Sequence, residues 1–109
     1  MELHPGVFLS NIAPEEWEHD PEVGGEMHIL CAEPGTEAGL SRFLEPHEPI
    51  VWTIPERETL LVLEGAARIE VAGGPTLELG PGDIASLPAG AETTWHLTTP
   101  FKEFWTINR

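Results

Sequence analysis

Apolar and polar residues alternate with a period of two along Arg68-Ile69-Glu70-Val71 and again along Thr76-Leu77-Glu78-Leu79, with Gly73-Gly74 between them. Successive side chains of a strand point to opposite faces, so this pattern predicts a hairpin with one apolar face, one polar face and a fixed register. The same reading gives strands from Met27 to Ala32, Gly39 to Leu44, Ile50 to Ile54, Thr59 to Leu63, Ala67 to Val71 and Thr76 to Leu79. Three more run from Ile84 to Leu87, Thr93 to Thr98 and Lys102 to Ile107. Within them, Leu60-Leu61-Val62-Leu63 is apolar on both faces. Such a strand faces a lumen on one side and a second sheet or subunit on the other, which points to a homodimer. Helical periodicity is weak and allows one turn at most, over Pro14 to Glu18, because Pro21, Gly24 and Gly25 follow.

Eleven glycines and eleven prolines punctuate the strands, recurring roughly every eight to twelve residues as turns between short strands do. Many short antiparallel strands leave edges open unless the sheet closes or doubles. An all-β, jelly-roll barrel follows. An immunoglobulin-like sandwich satisfies the strand count as well, but gives no reason for Gly-Pro-Gly-Asp at 80 to 83 or Pro-Ala-Gly at 88 to 90. With 109 residues there is room for one domain with one core. The expected division is an acidic arm over residues 1–25, which can include a strand, and a barrel over residues 26–109.

Charge narrows the partners. Nineteen acids against five basic residues give a net charge of −14, and the run Glu15, Glu16, Glu18, Asp20, Glu22 concentrates it in the arm. That field repels phosphate backbones and anionic lipid surfaces, so neither nucleic acid nor membrane is an expected partner. Cys31 is the sole cysteine and stands between Leu30 and Ala32, where packing explains it better than nucleophilic chemistry. No apolar run approaches a membrane span and no secretory leader is legible, so a cytoplasmic location is expected.

Two glycine-bounded segments carry the chemistry. Six residues separate Glu58 from Gly65, and five separate Gly82 from Pro88, which opens Pro88-Ala89-Gly90. Both segments resemble the motifs of the cupin family, whose members are double-sheet jelly rolls with a ligand or metal inside the barrel. In that family two histidines precede the glutamate and a third follows the second motif. Here those positions fall on Val51 and Thr53, or on Trp52 and Ile54 if the gap is one shorter, and on Thr93. A transition metal needs three or four converging donors, so no tightly bound metal or other cofactor is expected. Strand alternation turns His96 outward if Thr93 and Trp95 face the lumen. His28 and His47, reaching in from other strands, remain the way to complete a site with Glu58.

The resemblance narrows through Thr36-Glu37-Ala38-Gly39, Thr94-Trp95 and the closing Phe101-Lys102-Glu103-Phe104-Trp105. Over about residues 36 to 109 the chain looks like the small cupins grouped with ureidoglycine aminohydrolase. That likeness implies roles for Trp95 and Lys102; the aminohydrolases themselves are longer, two-barrel manganese proteins with histidine ligands.

Glu58 is the leading candidate for chemistry, because a carboxyl in an apolar lumen must find a partner, a cation or a proton. Thr53, Thr93 and Trp95 are expected beside it as ligand-binding residues. Lys102 shares one strand face with Phe104 and Thr106, opposite Phe101, Glu103, Trp105 and Ile107. If it faces inward, a Glu58–Lys102 ion pair forms and both residues are catalytic candidates; if outward, it is a surface lysine. The expected function is a barrel pocket for a small polar molecule. The alternatives are a small hydrolase or isomerase using Glu58 as general acid or base, and a non-catalytic structural or sensory dimer.

Overall fold

A computed structural model describes all 109 residues, and its chain is built from strands. First come β1 (Glu2–His4), β2 (Val7–Phe8) and β3 (Glu18–His19); β4 (Glu26–Glu33), β5 (Thr36–Phe43) and β6 (Ile50–Thr53) follow, and β3 pairs with β4 and so joins the main sheet. Then come β7 (Arg57–Val71), β8 (Thr76–Leu79), β9 (Ile84–Leu87) and β10 (Glu92–Asn108). The anticipated helical turn over Pro14 to Glu18 is not formed. Instead the Trp17 indole N–H donates to the Pro14 carbonyl at 2.8 Å, which ties this stretch into an irregular loop. No helix is long and apolar enough to cross a membrane.

Four of the expected strands are the halves of two long ones. The stretches 59–63 and 67–71 are one strand, β7, and the stretches 93–98 and 102–107 are one strand, β10. The first half of β10 lies between β6 and the second half of β7, while its second half lies between β5 and the first half of β7. β8 extends one side and β9 the other. The two long strands thus run through both layers of the sandwich, and their register slips between Thr98 and Glu103, opposite Gly65. Such an irregularity bends a strand and lets it change layers. Gly65 has φ +77°, and a Cβ there would fall on the carbonyl oxygens of Thr98 and Pro100, so the bend needs a residue without a side chain.

The anticipated β7–β8 hairpin forms, with Ile69 opposite Leu77 and Arg68 opposite Glu78, so apolar faces apolar and charged faces charged. Between the layers, Phe43, Leu60, Val62, Phe101 and Trp105 meet Ile54, Ile69 and Trp95 in one core cluster. Each large buried side chain of this kind contributes about 1.5 to 3 kcal/mol. Trp105 lies opposite Gly39, where a Cβ would stand 2.6 Å from the His28 carbonyl oxygen and 3.1 Å from the Trp105 ring. The bare backbone at Gly39 makes room for that indole.

The arm lies along its own barrel. Lys102 Nζ donates to the Ile12 carbonyl at 2.8 Å, and Arg42 stands 4.1 Å above the Trp17 ring while its Nε donates to Glu26 at 2.9 Å. His28 Nδ1 is 2.9 Å from the Glu16 carbonyl oxygen, which can only accept. In neutral histidine, Nε2 then accepts from the Ser10 hydroxyl at 2.8 Å.

Candidate functional site

Inside the barrel is a cavity of about 480 Å³, of the size that holds small ligands. Odd-numbered positions of β10 supply much of its wall. Trp95, Leu97, Phe101, Glu103, Trp105 and Ile107 all line it, as alternation along one strand requires. Glu58 and Trp52 enter from β7 and β6, and the mouth is formed partly by Asp20 and Glu22 of the arm and by Glu37 and Arg109.

Two carboxyls are buried in this apolar chamber: Glu58 is 7% exposed and Glu103 5%. Burial raises the proton affinity of Glu58 above the ordinary carboxylate range. The Trp52 indole N–H, beside it but outside the geometry of a well-formed hydrogen bond, pulls the other way. Glu103 is pushed up further, first by complete burial and then by the negative charge of Glu58. Its Oε2 has no hydrogen-bond partner. A buried acceptor of this kind carries a desolvation penalty of about 1 to 3 kcal/mol, more if charged.

The tryptophans are held by their polar edges. Trp95 donates its indole N–H to Thr93 Oγ1 at 2.9 Å, and Trp105 donates to Ser41 Oγ at 2.8 Å. With these N–H groups engaged in the wall, what Trp95 and Trp105 offer the cavity is aromatic surface.

The structure brings Glu58 and Trp95 together in the lumen and separates the other anticipated site residues. Thr93 is buried, but its hydroxyl is spent on the Trp52 carbonyl, to which it donates at 2.6 Å, and on Trp95. Thr53 is exposed and Val51 is 79% exposed. Of the two alignments for β6, the shorter gap holds, with Trp52 lining the cavity and Ile54 fully buried. Lys102 stands on the outer face, bound to Ile12, so the Glu58–Lys102 ion pair does not form. Parity decides this, since the face carrying Trp95 carries Glu103.

Neither do the histidines converge on Glu58. His28 is fastened to the arm, His47 Nδ1 lies 2.7 Å from the Glu48 carbonyl oxygen with its ring against Phe43, and His96 pairs with Glu70. No group of three or more His, Cys, Asp or Glu side chains is arranged to hold a metal ion. Two carboxyls among indoles do not fit the nitrogen-rich donor set through which cupins hold transition metals.

Glu103 is the residue that sequence reasoning passed over. Its signal was weak, because the count of two from Thr93 and Trp95 to Glu103 crosses the break in pattern at Thr99-Pro100. Trp105 and Phe101 on the same face agree with that count.

Residues 50–104, just over half of the chain, match the EutQ-like cupin domain family. An RmlC-like cupin from Shewanella frigidimarina NCIMB 400 is similar at TM-score 0.71 and 20% identity, over 85% of this chain and 82% of that one. The EutQ protein of Clostridium difficile is similar at TM-score 0.64 and 17% identity, over 82% and 65%. DMSP lyase DddQ from Ruegeria pomeroyi DSS-3 reaches TM-score 0.65 and 20% identity, over 76% of this chain and 46% of its own. At these identities the likeness is one of fold. No curated protein matches the chain. The family match and the cupin structural neighbours agree with the strand order: the chain belongs to the EutQ-like cupin domain family.

Proposed function

We propose that this protein binds a small polar molecule in the barrel lumen, without a tightly held metal, through Glu58 and Glu103 against a wall of tryptophan. The observation that carries the reading is the unpartnered Oε2 of Glu103 in a cavity large enough for a ligand. A closed domain with no use for the cavity would lose little by replacing that carboxyl with an apolar side chain. A thermal-shift screen of amines, sugars, ureido compounds and carboxylates tests it. A ligand at a hundred times its Kd adds about 2.7 kcal/mol, which for a domain of this size raises Tm by several degrees. The rise is expected to shrink in Glu103→Gln and Glu58→Gln and to persist in Lys102→Met. No stabilising compound, or equal shifts in all three variants, rejects the reading.

A catalytic version is favoured by one further observation. Two buried carboxyls whose proton affinity is raised above the ordinary carboxylate range are suited to giving protons to a bound molecule and taking them from it. A small hydrolase or isomerase of the ureidoglycine aminohydrolase-like type would use them as general acid and base. Turnover of a ureido compound, abolished in Glu58→Gln, would establish it. We also propose a homodimer, supported by the exposed apolar residues Leu3, Val7, Leu9 and Ile12 of the arm.

A further inference from the structure

The lumen has a preferred charge. Among the residues that line it are the acids Asp20, Glu22, Glu37, Glu58 and Glu103, against a single base, Arg109. Arg109 stands 4.0 Å from Glu37 in a partly exposed pair, so the interior itself has no cation. An anionic ligand would find no cation inside the lumen to pair with. Meanwhile Oε2 of Glu103 is an acceptor awaiting an N–H or O–H donor. Trp52, Trp95 and Trp105 present aromatic surface, whose electron-rich faces attract cations.

Resting on the binding reading above, we propose that the ligand is a small primary ammonium compound, its nitrogen donating to Glu103 and Glu58 and its carbon chain lying against the three tryptophans. The N–H groups distinguish it from a quaternary ammonium, which satisfies aromatic rings but leaves the orphaned oxygen unpaired. Binding is tied to protons. Burial raises the proton affinity of Glu103, and an ammonium group needs the carboxylate, so entry of the ligand favours release of a proton. The charged groups facing this carboxyl are Glu58 across the lumen and, at the mouth, Asp20, Glu22, Glu37 and Arg109.

Calorimetry on the full chain with n-propylammonium, tetramethylammonium, 1-propanol and propionate tests the inference. Propylammonium is expected to bind at least ten-fold more tightly than the other three. Its affinity should climb by up to about ten-fold per pH unit while Glu103 remains protonated. Repeating the titration in buffers of different ionisation enthalpy should count about one proton released per ligand. Glu103→Gln should weaken binding ten-fold or more and remove the proton release. Should that variant fail to fold, the proton count on the native protein decides. Tighter binding of propionate, propanol or tetramethylammonium overturns the ammonium assignment and leaves the polar-ligand reading standing. So does propylammonium binding without proton release. If none of the four binds and the broader thermal-shift screen is also empty, both readings fall together.

Discussion

Glu103 and Thr93 are both buried on the inner face of β10, yet they do opposite things for stability. Glu103 resists ionisation in the folded chain and ionises readily once unfolded. Above the ordinary carboxylate range the unfolded state therefore releases a proton that the folded state keeps. Stability falls as pH rises through that window, by at most about 1.4 kcal/mol per unit, until the folded group also ionises. Scanning calorimetry of Glu103→Gln from pH 5 to 8 is expected to show a shallower decline of Tm than the parent, with the variant the more stable at the upper end. Thr93, by contrast, satisfies two neighbours at once, donating to Trp52 and accepting from Trp95. Thr93→Val should cost about 1 to 3 kcal/mol by stranding the Trp95 indole N–H, read as a lower urea midpoint at unchanged slope. Glu58 was legible in the sequence because a motif spacing marked it. Glu103 had only strand parity to mark it, and the choice between its face and that of Lys102 required knowing which side of β10 is inside.

At the scale of elements, alternation found the strands but not their continuity. The pattern breaks around Gly65 and again around Thr99-Pro100, and a break in period reads as a turn whether the chain reverses or only bends. The register shows a bend, for Thr98 pairs with Ala66 and Lys102 with Glu64 across the same two strands. Gly65→Ala should therefore be severely destabilising, well beyond the usual glycine-to-alanine change of about 1 kcal/mol. Its Cβ meets backbone oxygens that cannot rotate away. A Tm drop comparable to that of a neutral surface substitution would disprove this account of the bend. In β6 the face was ambiguous for a related reason. The loop from Ile54 to Glu56 interrupts the count between the strand and Glu58, and only tertiary packing chose Trp52 over Thr53 for the lumen.

On the scale of the whole molecule, composition spoke for one acidic, all-β domain, and the structure has a sandwich of two layers with an arm laid along it. The course of the arm was not readable, since Val7, Phe8, Leu9 and Ile12 suit any apolar surface. It is the pairing of Ser10 and Glu16 with His28, and of Ile12 with Lys102, that fixes it. The ribbon of β1 and β2 pairs only with itself, and an isolated two-stranded hairpin has little stability of its own. Light scattering should then give twice the chain mass, reverting to a single chain mass in Leu3→Glu/Val7→Glu; a parent already monomeric at micromolar concentration refutes the dimer.

Because β7 and β10 thread both layers and also carry Glu58 and Glu103, the chamber has no hinge of its own. Neither acid can be exposed by fraying one edge of the sandwich; releasing either means dissolving the longest ladder in the protein. Under the proposed binding, a guest would pass through the opening lined by Asp20, Glu22, Glu37 and Arg109 instead.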